Sequence, residues 1–206
     1  MKYFCVQNGI ELKKQLISLR KEFFRKSIHI CTAFVPLFLS INKTFVICAL
    51  FVAGIFYVIA ETLRFRGKEI PFVSDITAAA ARKRDENKFV LGPVTLVAGV
   101  LIAAIFLKPV PAAAGIYALA FGDGLASLAG KTFGKIKIPL THGKTAAGSL
   151  TCFTAIFCSC FVATGSAKTA LASAIIGAAV EVLPLKDFDN LIIPVLIGAV
   201  VMIFNH

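Results

Sequence analysis

IHICTAFVPLFLSINKTFVICALFVAGIFYVIAETL, residues 28–63, is a run of 36 mostly apolar residues interrupted midway by Asn42-Lys43. A helix that crosses a bilayer needs about 20 apolar residues, within a range of roughly 17–25. The run is too long for one crossing and reads as a hairpin of two, the first member beginning as early as Phe23. Five more apolar runs follow, at residues 89–107, 109–129, 145–164, 167–183 and 188–204. Lys108-Pro109, Gly165-Ser166 and residues 184–187 separate them with turn and helix-stop residues.

Composition agrees with this reading. Hydrophobic residues make up 58% of the 206 residues and charged residues 16%, against about 45–50% and about 25% in a soluble domain. The mean hydropathy is +0.85. Twenty-two Lys and Arg against 11 Asp and Glu leave a formal charge of +11. A nucleic-acid binder can be that basic but not that apolar, and a disordered chain is excluded on the same ground. Five of the six cysteines sit inside apolar runs and none forms a Cys-x-x-Cys pair. They read as small buried apolar residues, with no zinc site or disulfide framework implied.

The basic residues are unevenly placed. Seven precede residue 28 and seven lie between Arg64 and Lys88. Four more lie between Lys131 and Lys144, and Lys43, Lys108, Lys168 and Lys186 stand singly. With seven spans, 19 of the 22 fall on one side of the membrane and 3 on the other, which the positive-inside rule assigns to the cytoplasm. The expected fold is all-α: a polytopic membrane helical bundle of about seven transmembrane helices, N-in and C-out. Residues 1–27, without an apolar leader core, are expected as a basic interfacial helix. Residues 28–206 form the membrane domain, with cytoplasmic loops at 64–88 and 130–144.

Ionisable groups at membrane depth cost several kcal/mol unless paired or hydrated, and they mark candidate functional sites. His29, Glu61, Asp123 and Glu181 are such groups, with Asp189-Asn190 at the start of the last span, and all fall at the expected cytoplasmic face. Carboxylates among Lys and Arg suit a polyanion with a divalent cation. The stretch GDGLASLAGKTFGK, residues 122–135, offers glycines for close backbone approach, and HGKTAAGS, residues 142–149, offers a lysine, hydroxyls and a helix N-terminus. A Walker A loop is excluded because no strand precedes it and the first glycine is misplaced. Plainer readings exist for single residues. Gly124, Gly130 and Gly148 would let helices pack closely, Arg25 and Lys26 would anchor topology, and Glu61 would snorkel or pair with Arg64 at i+3. The mixed run Arg82 to Glu86 reads as a solvated or headgroup-facing loop.

Taken together these residues resemble a known family. Gly122-Asp123-Gly124…Ala126…Gly130…Phe133-Gly134, followed by Lys144-Thr145-x-x-Gly148-Ser149, is similar to the signature of CTP-dependent lipid kinases. That family includes dolichol kinase, plant phytol and farnesol kinases and the yeast-type CTP-dependent diacylglycerol kinase. Arg25-Lys26-x-x-His29, Glu61-x-x-Arg64 and Val180-Glu181…Pro184…Asp189-Asn190…Pro194 resemble its remaining segments, in order, over nearly the whole chain. Thr145 stands where many members carry Ser, and the extra N-terminal spans of dolichol kinases are not in this sequence.

The resemblance implies transfer of a phosphoryl group from CTP to a membrane isoprenoid alcohol or diacylglycerol, in the bilayer, at the cytoplasmic face of a multi-pass protein. In a prokaryote that would be the cell membrane. It assigns catalysis to Asp123, Glu181 and Lys144, and Mg²⁺ or another divalent cation to Asp123, Glu181 and Glu61. Nucleotide and phosphate would be held by Arg25, Lys26, His29, Gly122, Gly124, Lys131, Thr145, Gly148, Ser149, Asp189 and Asn190. Nucleic acid is not an expected partner, and a homo-oligomer stays open. Two alternatives stand beside this reading. One is a phosphatidate cytidylyltransferase, which uses CTP but releases pyrophosphate; the other, weaker, is an ion-coupled transporter using Asp123 and Glu181 as a relay.

Overall fold

The computed structural model describes the backbone of residues 2–68, 70–81, 85, 88–139, 141 and 143–204, and the side chains from residue 16 onward except Phe72. Among these residues the regular structure is helical, and extended pairing is limited to an isolated bridge between Lys137 and Thr145. Each of the seven apolar runs is helical.

Helix α1, Lys2–Cys31, carries both the basic segment and the start of the first apolar run without a break. A 3₁₀ turn, Thr32–Phe34, then leads into α2, Val35–Ile41. Pro36, which has no N–H and crowds the preceding turn, is the reason the α-helix does not continue unaltered. Asn42 ends α2 in an extended conformation, and its side chain accepts a hydrogen bond from Phe45 N at 3.0 Å. The break in the hairpin is thus an N-cap that opens α3, Lys43–Phe65. A short helix, α4, Pro71–Ala80, follows within the stretch expected to be a loop.

The remaining helices are α5 (Gly92–Phe106), α6 (Pro109–Tyr117), α7 (Gly124–Phe133), α8 (Ala146–Thr164), α9 (Ala167–Val182) and α10 (Asp189–Phe204). A π-helical segment, Ala118–Asp123, joins α6 to α7 in one continuous rod. Gly165, at φ 68°, closes α8 in the left-handed conformation, and Ser166 caps α9 by accepting from Thr169 N at 3.3 Å.

Four helical segments are long and apolar enough to cross a membrane: Leu16–Ile41, Lys43–Phe65, Pro109–Phe133 and Ala146–Thr164. Helices α5, α9 and α10, with 15, 16 and 16 residues, reach about 23–24 Å at 1.5 Å per residue, short of a hydrocarbon core of about 30 Å. The hairpin of α2 and α3 turns Phe34, Phe38, Phe45, Phe51 and Phe56 outward. Such a surface suits hydrocarbon and not water.

The interior is built on close backbone approach. Pro194 inside α10 has no N–H, so Asn190 O loses its helical donor. That carbonyl lies against Gly99 of α5, 2.3 Å from where a Cβ would stand, and Pro194 O lies 2.1 Å from the corresponding point on Gly115 of α6. No residue but glycine fits at either position. The apolar core around them gathers Val100, Ile116, Leu119, Ile156, Ile193 and Ile197.

Candidate functional site

The ends of several helices meet around a cavity of about 1240 Å³. Its walls come from α1, the end of α3, α4, α7, the start of α8, the end of α9 and the start of α10. Among the described residues, Lys21, Arg25, Arg64, Lys131, Lys144 and Lys186 bring positive charge to it, and Glu22, Asp85, Glu181 and Asp189 bring negative charge.

Glycine sets the geometry at the heart of the wall. Lys137 and Thr145 pair across a short turn, with Ile138 N donating to Lys144 O at 2.9 Å and Ala146 N to Ile136 O at 3.0 Å. This fixes Lys144 and Thr145 ahead of α8. Thr145 Oγ1 caps the helix by accepting from Gly148 N at 3.2 Å. The same hydroxyl stands 2.9 Å from where a Cβ on Gly130 would be, and Thr145 Cγ2 stands 2.5 Å from the corresponding point on Gly134. The two motif segments, residues 122–135 and 142–149, therefore meet glycine against threonine. Two of the first N–H groups of α8 are already taken by Ile136 O and Thr145 Oγ1, so side-chain cations supply most of the anion-binding capacity here.

Glu181, at the end of α9, is nearly buried, and both its oxygens are held by the start of α8. Lys144 Nζ donates to Oε1 at 2.5 Å and Ser149 Oγ donates to Oε2 at 3.0 Å. Lys144 remains 30% exposed at its side chain, with further donors to offer the cavity. Lys131 Nζ pairs with Glu22 Oε2 at 2.7 Å, and Glu22 also pairs with Arg25. Asp189 opens α10, its Oδ1 accepting from Asn190 N at 2.9 Å.

Asp123 is placed differently. It lies buried at the end of the π segment, behind the cavity wall, where Lys26 Nζ donates to Oδ2. His29 Nδ1 stands 3.3 Å from the same oxygen, outside hydrogen-bonding alignment. Lys26 and His29 are also buried. One carboxylate and one ammonium thus fasten α1 to the rod of α6 and α7, with the imidazole packed beside them. Gly122 and Gly124 are not part of the cavity wall; they make room for Ile156 and Ile30.

Glu61 is buried at the end of α3. Its oxygens accept from Arg64 Nε at 2.8 Å, from Arg64 Nη2 at 2.6 Å and from Val90 N at 2.8 Å. Arg64 Nη2 also donates to Lys88 O at 3.0 Å. The pair staples α3 to the strand of chain that enters α5. Asn190 Nδ2 donates to Gly92 O at 3.3 Å and to Thr95 Oγ1 at 3.2 Å, fastening α10 to α5.

The expected site residues thus divide into two groups. Arg25, Lys131, Lys144, Thr145, Gly148, Glu181 and Asp189 line the cavity, and Ser149 holds Glu181 from behind. Lys26, His29, Gly122, Gly124, Asp123, Asn190 and Glu61 lie outside its wall. The three carboxylates expected on one metal each have their own cation. Among the described residues no three His, Cys, Asp or Glu side chains gather as a metal site. Mg²⁺ commonly binds one or two carboxylates together with substrate phosphates. The described donor set does not fit a preformed three-carboxylate centre.

Glu22, Lys21, Thr77 and Lys186 belong to the wall and carried no sequence motif. For Glu22 a signal existed: it is one of two acids in a basic helix, three residues before Arg25 and four before Lys26. No protein-family model matches this chain, and neither does any curated protein or solved structure.

Proposed function

We propose that this protein is a membrane lipid-alcohol kinase that transfers a phosphoryl group from CTP to the hydroxyl of an isoprenoid-type alcohol or diacylglycerol, with seven crossings and the cavity on the cytoplasmic side. The observation that carries the reading is the 1240 Å³ cavity with cations from α1, α3, α7 and the start of α8 directed to one space. A nucleoside triphosphate needs such a volume and such a set of donors. The helix ends that meet there are the ones that the alternation of basic loops assigns to the cytoplasm.

Phosphoryl transfer asks little covalent chemistry of a protein; position and charge supply most of the rate. Lys144 and Lys131 hold the phosphates, and Thr145 and Gly148 keep the backbone of that wall close and rigid. Glu181, oriented through both oxygens by Lys144 and Ser149, is the cavity carboxylate positioned to receive the proton of the acceptor hydroxyl. Asp123 acts as a positioning residue, keeping Lys26 and His29 in place from behind the wall. A divalent cation arriving with the triphosphate would add neutralisation of charge on the phosphate oxygens.

The test is purified protein in vesicles with CTP or ATP and a panel of phytol, farnesol, polyprenol and diacylglycerol. CDP and a lipid monophosphate are expected, with CTP preferred. Pyrophosphate with a CDP-lipid, or no turnover with any alcohol, refutes the proposal. Reporter fusions after residues 43, 108 and 168 should fall outside and those after 68, 135 and 186 inside, and any other alternation refutes the seven crossings.

A further inference from the structure

A second, much smaller pocket of about 60 Å³ adjoins the main cavity. The two share Arg25, Ala80, Asp85 and Val90 as lining residues, so the small one is a side chamber of the large one. Ile28, Val90, Pro93 and Leu96 give it apolar walls, and Arg25, His29, Asp85, Asp187 and Asn190 line it with polar and charged groups. Ile28, at its rim, is 37% exposed on the outer face of α1.

Volume decides what can enter. One water needs roughly 10–15 Å³ by this kind of measure, so the chamber holds a hydroxymethyl group and a few methylenes and excludes a nucleotide. This polar lining can meet the hydroxyl of a ligand. Asn190 has committed both Nδ2 bonds to Gly92 O and Thr95 Oγ1, which leaves Oδ1 as its acceptor. His29 Nδ1 lies 3.3 Å from Asp123 Oδ2 without a hydrogen bond, and the imidazole also lines this chamber. Both residues are buried.

We infer that this side chamber is the acceptor subsite and that it takes the hydroxyl end of a single-chain lipid alcohol, not diacylglycerol. The inference rests on the kinase reading and narrows its substrate class. A single-chain alcohol leads with a slim hydroxyl end. Diacylglycerol branches into two ester-bearing arms within two carbons of its hydroxyl, and that bulk does not fit the chamber. The hydroxyl, held by His29 and Asn190, would face the main cavity past Arg25 and Asp85, while the chain leaves past Ile28.

The experiment is photolabelling of the full-length protein in phosphatidylcholine vesicles, without nucleotide, using a hexadecanol that carries a diazirine three carbons from its hydroxyl. Adducts are expected on Ile28, Val90, Pro93 or Leu96, competed by unlabelled hexadecanol and not by dioleoylglycerol at equal mole fraction. Leu96→Phe, which fills the chamber, should reduce labelling at least tenfold. Ile28→Trp, at the exposed rim, serves the same purpose with little demand on folding, and a far-UV circular dichroism melt like that of the unsubstituted protein, taken without nucleotide, shows that each variant keeps its fold. Adducts confined to the outer face of α2 and α3, unchanged labelling in both folded variants, or equal competition by dioleoylglycerol overturns the inference. Because the labelling needs no CTP, chamber adducts without CTP turnover refute the kinase reading alone, while turnover with adducts elsewhere refutes the subsite alone.

Discussion

The ion pair between Lys26 and Asp123 offers a sharp test of how α1 is held. The two side chains are 1% and 3% exposed. Removing one partner of a buried pair leaves an uncompensated charge, which costs about 3–5 kcal/mol, whereas replacing both by neutral groups of similar volume is often close to neutral. Lys26→Met should therefore destabilise the protein by about 3–5 kcal/mol, and Asp123→Asn, which strands the ammonium, by a similar amount. The double variant keeps the volume of both side chains and a hydrogen-bonding group beside His29. It should lose less than about 2 kcal/mol against a sum of at least about 6 kcal/mol for the two single changes, which gives a coupling energy of at least about 4 kcal/mol between the two sites. The assay is reversible denaturation in mixed micelles, followed by far-UV circular dichroism, on the four members of the cycle. Losses that add to within about 0.5 kcal/mol would show that the pair does not fasten α1 and would refute the reasoning. Asp123→Asn alone is for this reason a poor probe of chemistry, because loss of activity in it mixes with loss of packing.

Thr145→Ala should cost about 1 kcal/mol through loss of the α8 N-cap, and Thr145→Ser should recover most of it, read as Tm in detergent. Gly134→Ala brings a Cβ to 2.0 Å from Gly130 O, and the required shift should destabilise by about 1–3 kcal/mol, checked by the same melt. Glu181→Gln and Lys144→Gln should lower kcat by roughly 10²–10⁴-fold for the loss of a proton acceptor or a phosphate cation, with CTP-dependent lipid phosphorylation as the readout. Activity within about threefold of the unsubstituted protein in both would remove them from the chemistry. Glu61→Gln should weaken the staple to Arg64 and Val90 by about 1–3 kcal/mol, seen as faster amide hydrogen exchange at residues 88–92.

Much of the architecture was legible because helix ends have local chemistry. Asn42, Gly165 and Ser166 stop or cap helices through atoms within a few residues, so the breaks could be read from single letters. The pairing of Glu61 with Arg64, one of two readings of an i, i+3 spacing, forms as a two-point contact. The partition of the site was not legible. Lys26 reads as one more basic residue in a basic segment, yet it is the cation that neutralises Asp123, 97 residues away, and no local pattern carries that pairing. Asp123, a lone acid between glycines, has a sequence signal of burial but none that tells a cavity from the packing behind it. Helix α4 lies in a stretch that the charges on either side of it, Arg64 to Lys68 and Arg82 to Lys88, mark as a loop between spans.

The π segment at Ala118–Asp123 has a consequence for how the chain tolerates change in length. A π turn holds one residue more than the α-helix it interrupts, and each α-helical residue advances the helix by about 100°. Everything after the segment is therefore rotated by about that angle relative to an uninterrupted rod. Deleting one residue between 118 and 122 would relax the turn to ordinary helix at little local expense. It would also keep the phase between the two halves, because the residue removed is the one that the wide turn absorbs: Gly115 would stay against Pro194 and Asp123 against Lys26. The same deletion inside α7, where no extra residue waits to be absorbed, would turn the rest of that helix by about 100°, which makes the π segment the one stretch of the rod that tolerates the loss of a residue.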